Sequence, residues 1–130
     1  MNQSILIVDD NPDNLDMTQI LLESEGFKVR LAEDAEMALK ILQTYRPQLI
    51  LMDIQLPGMH GLELTRLLRQ EPALQGVIIL ALSAYAMKGD EDAARAAGCD
   101  GYITKPINTR TFADAVRGYL QPLRPTPSDL

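Results

Sequence analysis

The sequence predicts an α/β fold in which a five-stranded parallel sheet carries helices on both faces. Three observations support this prediction: short apolar runs with the composition of strands, amphipathic stretches between them, and a regular alternation of the two along the chain. Strands and helices that alternate in this way form parallel sheets through right-handed crossover connections. A length of 130 residues suits one such domain.

Five short segments are predicted to be strands because they are apolar or alternating, are rich in β-branched residues and end at polar or glycine positions. In chain order they are residues 5–8, 28–31, 49–52, 77–82 and 102–104. The first, third and fourth are continuously apolar, as in strands covered on both faces, whereas the second and fifth alternate, as edge strands can. This pattern predicts the strand order 2-1-3-4-5, which is that of doubly wound, flavodoxin-like (βα)5 folds.

Helical periodicity fills the segments between the strands. Four predicted helices each have apolar or small side chains on one face: Leu15, Thr18, Leu21 and Leu22; Ala35, Ala38, Leu39 and Leu42; Leu64, Leu67 and Leu68; Phe112, Ala115, Val116 and Tyr119. The fifth, around residues 86–97, is mostly alanine and charge. Asp34 and the pair Asn108 and Thr109 are expected to begin helices, and Gly26 and Gly98 to end them.

The predicted domain covers residues 1-121, and residues 122-130 are predicted to be a proline-rich tail or a linker stub. Pro122, Pro125 and Pro127 exclude a regular helix or a central strand from this stretch. Starting at Met1 and ending in such a tail mildly favours a stand-alone protein, but a module excised from a larger chain is the open alternative.

The composition argues against several classes of partner. Twelve basic residues against 18 acidic ones give a net charge of -6, which disfavours binding to nucleic acid or to an anionic membrane. The sequence has no signal peptide pattern and no apolar run of membrane-spanning length. We therefore expect a cytoplasmic protein with no nucleic acid and no membrane partner.

Polar side chains follow four of the five predicted strands. Asp9 and Asp10 follow the first strand, Asp53 the third, Ser83 the fourth and Lys105 the fifth. Open parallel sheets bind ligands beyond the carboxyl ends of their strands, at the point where the strand order reverses. We expect these five side chains to meet in one crevice there.

This set of side chains suits a metal ion beside a phosphate. Carboxylates 4 Å apart repel each other by about 4 kcal/mol per pair at an effective dielectric near 20. A dication compensates this repulsion, and Mg²⁺ typically combines one or two carboxylates with waters and substrate phosphate. Lys105 and Ser83 add a charge and a short donor for an anion.

Four segments of the chain resemble the signature motifs of response-regulator receiver domains from two-component signalling systems. They are residues 7–11, 51–59, 82–84 and 102–106, and the resemblance extends over residues 3–121. It implies that Asp53 is the phosphoacceptor and that Asp10 binds Mg²⁺ directly. It further implies that Asp9 acts largely through water and that the backbone carbonyl of Gln55 completes the protein ligands.

The resemblance also assigns the remaining site residues. It implies that Ser83 and Lys105 contact the phosphoryl group, that Ser83 and Tyr102 form a switch, and that the peptide bond before Pro106 is cis. Tyr102 is expected to face outward beside the fourth helix. The lone His60 is expected to be an exposed turn residue and not a phosphodonor.

The implied function is a phosphorylation switch. The domain would take a phosphoryl group from a histidine kinase or a histidine phosphotransfer protein and catalyse its own phosphorylation and dephosphorylation, without being a metabolic enzyme. It would then bind a downstream protein partner through the fourth helix, fifth strand and fifth helix. The segment 84–90 is similar to single-domain cell-cycle regulators and to receivers of hybrid histidine kinases.

Three rival functions fit the sequence less well. A flavin-binding module would need hydroxyl and amide donors in the first loop, where residues 9–13 are instead acidic. An aspartyl-phosphate hydrolase would need a second carboxylate where the chain has Gln55. A phosphate-independent receiver scaffold would typically lack one of the acidic or lysine positions, all of which are present here.

Overall fold

A five-stranded parallel sheet forms the centre of the protein, and its strands lie in the order β2-β1-β3-β4-β5. The structure, a computed structural model, describes residues 3–56, 58–83, 88–105 and 107–120. The strands are β1 (Ser4–Val8), β2 (Lys28–Ala32), β3 (Leu49–Asp53), β4 (Ile78–Ser83) and β5 (Gly101–Thr104). The predicted fold class and strand order are therefore confirmed.

Helices cover both faces of this sheet. They are α1 (Pro12–Glu23), α2 (Ala35–Leu42), α3 (Gly61–Arg69), α4 (Lys88–Ala97) and α5 (Phe112–Leu120), with a short 3-10 turn at Pro72–Leu74. Within the described parts of the chain, no helix is both long enough and apolar enough to cross a membrane. The expected start of the fourth helix near residue 86, the bond before Pro106 and the tail at 122-130 lie outside the described residues.

The core has two layers because side chains of a strand point alternately to the two faces of the sheet. Leu6 and Val8 of β1 face the side covered by α2, α3 and α4. Ile5 and Ile7 face the side covered by α1 and α5. All five residues of β3 are buried, whereas Lys28 and Arg30 of β2 are exposed. The continuous and alternating patterns thus separate central from edge strands, as predicted.

Local signals fix most helix ends. The Asp34 side chain accepts the N–H of Met37 at 2.8 Å and begins α2. Gly26 and Gly98 follow α1 and α4 with φ of 92° and 117°, a conformation that glycine adopts without steric cost. The expected start near Asn108 is too early, because the Asn108 side chain instead accepts the N–H of Arg110 in a turn that precedes α5.

Three side chains that were assigned to buried helix faces are exposed. Leu67 is 41% exposed on α3, and Tyr119 is 38% exposed on α5, where Ala115 is exposed as well. A Cβ atom at Gly101 would lie 2.5 Å from the Tyr119 ring, so this ring covers the glycine at the sheet edge. Helical periodicity places these residues on the correct side of the helix but does not show where the neighbouring layer ends.

Arg69 ties together the ends of several elements, a role that the sequence did not indicate. Its guanidinium donates to the carbonyl oxygens of Val77 at 2.7 Å and Gly98 at 2.9 Å, and to the carboxylate of Asp100 at 2.7 Å. Asp100 also accepts the N–H of Ile79. These bonds join the end of α3 to the start of β4 and to the turn between α4 and β5.

Candidate functional site

Three carboxylates converge at the carboxyl edge of the sheet. One oxygen from each of Asp9, Asp10 and Asp53 lies within 4.8 Å of the others. Asp53 ends β3 and Asp9 follows β1, and these two strands pair directly in the sheet. Asp9 is 1% exposed and Asp53 is 3% exposed, whereas Asp10 is exposed. The cluster therefore has two buried carboxylates and one that is open to solvent.

Lys105 bridges the two buried carboxylates. Its Nζ atom lies 3.1 Å from Asp53 Oδ2 and 3.3 Å from Asp9 Oδ2, and its side chain is 18% exposed. Its backbone N–H donates to the carbonyl oxygen of Ser83 at 2.7 Å, which attaches the end of β5 to the end of β4. Buried carboxylates need such a cation because desolvation otherwise makes their charge costly.

Backbone groups fix the orientation of the same two carboxylates. The N–H of Asn11 donates to Asp9 Oδ1 at 2.9 Å, and the N–H of Gln55 donates to Asp53 Oδ1 at 2.9 Å. Each buried carboxylate thus offers one oxygen to the backbone and the other to Lys105. Oδ2 of Asp53 is consequently held toward the cluster.

Ser83 lies beside Asp53 at the same edge. It is fully buried at the end of β4, where the neighbouring Leu82 pairs in register with Asp53. In the next strand, Thr104 pairs with Ser83. A short hydroxyl side chain therefore lies one residue beyond the level of Asp53 on the adjacent strand.

Gly61 allows helix α3 to begin against the backbone of Asp53. Its N–H donates to the carbonyl oxygen of Ile54 at 3.0 Å. A Cβ atom at this position would lie 2.3 Å from the carbonyl oxygen of Asp53 and 2.5 Å from the Cα atom of Ile54. Only glycine fits this approach, and the pattern of residue types does not reveal this constraint because it arises from packing.

Burial raises the pKa of Asp9 above its usual range, and the negative charge of Asp53 raises it further. The hydrogen bond from Asn11 and the charge of Lys105 act in the opposite direction and lower this pKa, but they do not cancel the effect of burial. The cluster is therefore short of positive charge, and an added cation would stabilise its ionised form.

The structure brings Asp9, Asp10, Asp53 and Lys105 into one group, with Ser83 at the same edge. Gln55 is exposed two residues beyond Asp53, in the loop before α3.

Tyr102 departs from the expectation that it faces outward. It is half-buried and packs against the core layer beneath α2, α3 and α4. The reason is that helices cover both faces of the sheet, so Ile103 packs against the layer beneath α1 and α5 while Tyr102 packs against the other layer. Its place on an edge strand leaves it only partly enclosed.

A family model and the sequences of known proteins identify the same family for this chain. A family model described as the response regulator receiver domain matches residues 5–117. The polar-differentiation response regulator DivK of Brucella anthropi is 40% identical over 120 residues, which cover 92% of this chain and 98% of the relative.

Solved structures agree with this match. A putative response regulator from Chloroflexus aurantiacus superposes with a TM-score of 0.87 at 30% identity, covering 92% of this chain and 98% of that chain. The receiver domain of a sensor histidine kinase from Pseudomonas aeruginosa PAO1 superposes with a TM-score of 0.83 at 32% identity, with the same coverage. That domain was solved with a magnesium ion coordinated in its active site cleft.

The raised pKa of Asp9 leads to a prediction about stability. A carboxyl whose pKa rises on folding stabilises the fold fully below its unfolded-state pKa, and this contribution is lost as the pH rises through the folded-state pKa. We predict that Asp9→Asn raises the unfolding free energy of the metal-free protein at pH 7, by about 1.4 kcal/mol for each pH unit of pKa elevation. Lys105 would keep Asp53 as its partner.

Urea denaturation in the presence of a chelator, between pH 4 and pH 8, measures this effect. The difference in unfolding free energy between Asp9→Asn and the wild type should shrink toward acid pH, where Asp9 of the wild type becomes protonated. Asp16→Asn, at an exposed position on α1, is the matched control and should change stability little. A less stable Asp9→Asn protein at pH 7 would contradict the prediction.

Proposed function

The chain belongs to the response regulator receiver family, and on this premise we propose that Asp53 accepts a phosphoryl group with Mg²⁺ bound beside it. The observation that supports this proposal most strongly is the convergence of three carboxylates at the carboxyl edge of the sheet, two of which are paired with one lysine. Among these carboxylates, Asp53 is the one on the central strand, held between Lys105 and the N–H of Gln55.

The donor set fits a magnesium ion. Carboxylate oxygens within 4.8 Å of one another, open to solvent at Asp10, suit a small hard cation that keeps several waters. We propose Asp10, Asp53 and the backbone carbonyl of Gln55 as direct ligands, with Asp9 acting largely through water. When bound, the ion would neutralise charge on the carboxylates and on the phosphoryl oxygens.

Phosphoryl transfer needs positioning and charge neutralisation more than covalent chemistry. We propose that Asp53 attacks the phosphorus of a phosphohistidine through Oδ2, so that an O–P bond forms while the N–P bond to the histidine breaks. Lys105, already 3.1 Å from this oxygen, would then pair with a phosphoryl oxygen. Attack of water on the acyl phosphate would later release phosphate and regenerate the carboxylate, so the domain acts on itself and not on a metabolite.

The phosphate would be sensed through Ser83 and Tyr102. Ser83 is buried beside the site, and Tyr102 lies half-buried on the neighbouring strand. Tyr102 pairs in register with Ala81, and the two side chains belong to the same core layer. We propose that phosphorylation favours one packing of this ring and thereby changes the surface formed by α4, β5 and α5, where a downstream protein would bind.

The phosphodonor in this proposal is a histidine kinase or a histidine phosphotransfer protein, and the location is cytoplasmic. Residues 1-121 would form the receiver and 122-130 a tail or linker. The alternative arrangement is a receiver module that works within a hybrid histidine kinase or a larger regulator. The likeness to the receiver of a Pseudomonas sensor histidine kinase supports the receiver within a larger protein. The likeness to DivK supports a single-domain response regulator.

We predict that Asp53→Asn abolishes labelling by acetyl phosphate, because the amide cannot form a stable acyl phosphate. Intact-mass spectrometry should find the added phosphoryl mass in the wild type only when Mg²⁺ is present, and circular dichroism should show that the variant is folded. Asp16→Asn serves as the control and should be labelled normally. Full labelling of Asp53→Asn would exclude this site, and labelling unchanged by a chelator would exclude the role of magnesium.

The output surface gives a second prediction. Amide exchange of the protein with Mg²⁺, compared with and without beryllofluoride, should change most in α4 and β5 outside the site itself. The reason is that Ser83 and Lys105, which would contact the new group, end the strands on either side of α4. The largest changes on α1 or α2, with residues 88–104 unaltered, would contradict this route.

A further inference from the structure

His60 begins helix α3 with a side chain that can change its charge. Its backbone is extended, with φ of -61° and ψ of 142°, and its Nδ1 atom accepts the N–H of Leu62 at 3.1 Å. The Glu63 side chain in turn accepts the backbone N–H of His60 at 3.3 Å. This reciprocal arrangement is a capping box in which histidine takes the place usually held by serine, threonine, aspartate or asparagine.

The capped helix end is in contact with the phosphoacceptor. Gly61 follows His60 directly, packs on the backbone of Asp53 and donates its N–H to Ile54 at 3.0 Å. That hydrogen bond closes the loop of residues 54–60, which contains Gln55. The cap on α3 therefore holds one end of the loop that carries a proposed magnesium ligand.

A capping histidine works only while Nδ1 has a free lone pair. The neutral imidazole provides it when the proton is on Nε2, whereas the doubly protonated ring has two donors and no acceptor. Protonation also places a positive charge at the positive end of the helix dipole, which is unfavourable. Both effects of protonation weaken the cap. Histidine is the side chain that ordinarily changes charge between about pH 5 and 8.

We propose that His60 is a positioning residue for the phosphorylation site and that its protonation loosens the loop that it caps, which weakens Mg²⁺ binding at acid pH. This inference rests on the proposed function, because it assigns the loop a share in metal binding. His60 does not touch the reacting atoms in it. It acts through Gly61 and the loop that Gly61 closes.

Charged groups lie on the elements around the cap. At the start of α2, Asp34 and Glu36 line a cavity together with Gly58 and Met59, which directly precede His60. On α3, the Glu63 carboxylate accepts the backbone N–H of His60, and residues 54–59 contain no ionisable side chain. On the neighbouring α4, Glu91 and Arg95 pair with each other at 3.2 Å. At the base of the loop, Asp53 is paired with Lys105.

Two substitutions separate capping from titration. His60→Asn retains a side-chain acceptor but does not titrate, and His60→Ala has no acceptor. Isothermal titration calorimetry with Mg²⁺ would give the dissociation constant of each protein at pH 7.5 and pH 5.5. Dividing each dissociation constant by that of His60→Asn at the same pH removes the direct effect of pH on the carboxylates.

At pH 7.5 we expect the wild type to match His60→Asn, with His60→Ala binding Mg²⁺ up to about fivefold more weakly, which is the limit reached when the whole stability cost of a lost cap falls on the metal-binding conformation of the loop. At pH 5.5 the dissociation constant of the wild type should rise relative to that of His60→Asn, toward the value of His60→Ala. Exchange protection of the Leu62 amide, measured without metal and also relative to His60→Asn, should fall over the same pH interval.

If the ratio of the Mg²⁺ dissociation constants of the wild type and His60→Asn is the same at the two pH values, the inference is wrong, although the magnesium site is unaffected. Equal Leu62 protection in the two proteins at pH 5.5 would also overturn the inference. If no variant binds Mg²⁺ at either pH, the proposed metal site is wrong, and so is the effect on it that this inference assigns to His60.

Discussion

The rest of the site depends on the way Lys105 reaches two buried carboxylates from the edge strand. Asp9 and Asp53 are forced together because β1 and β3 are neighbours in the sheet, and both are almost completely buried. Their repulsion would cost about 4 kcal/mol at 4 Å and an effective dielectric near 20. Lys105 offsets part of this cost, and the pKa of Asp9 is nevertheless raised, chiefly by burial and further by the charge of Asp53. A site that lacks positive charge is suited to bind a cation.

The same arrangement explains how a chemical change at Asp53 could be felt elsewhere. Lys105 is attached to the carbonyl oxygen of Ser83 through its backbone N–H, so the lysine and the serine move as neighbours. At the amino ends of the strands, Arg69 joins the end of α3 to the start of β4 and to the turn after α4. The far end of α4 is thus anchored, while its beginning lies toward the site. In the proposed phosphorylation of Asp53, such an anchor would confine rearrangement of α4 to the end nearer to the site.

The fold and the grouping of the site residues could be predicted from the sequence because the polar side chains of the site follow the ends of strands. The apolar runs predicted the strand order, and the order predicted that Asp9, Asp10, Asp53 and Lys105 would meet. Periodicity could not show that Leu67 and Tyr119 are exposed, because exposure depends on where the adjacent layer stops. Arg69, Gly61 and the capping role of His60 were missed for a related reason. Their roles depend on contacts with backbone atoms, which leave no pattern of residue types in the chain.

The central claim is that the acidic group and Lys105 form a site for phosphoryl transfer to Asp53. A crystal structure of the protein with Mg²⁺ and beryllofluoride tests it most directly. We expect beryllium bonded to an oxygen of Asp53, a metal ion ligated by Asp10, and Lys105 shifted from Asp9 toward a fluorine atom. Beryllofluoride bonded to another residue, or a complex in which Lys105 keeps both carboxylates as partners and no metal is bound, would contradict it.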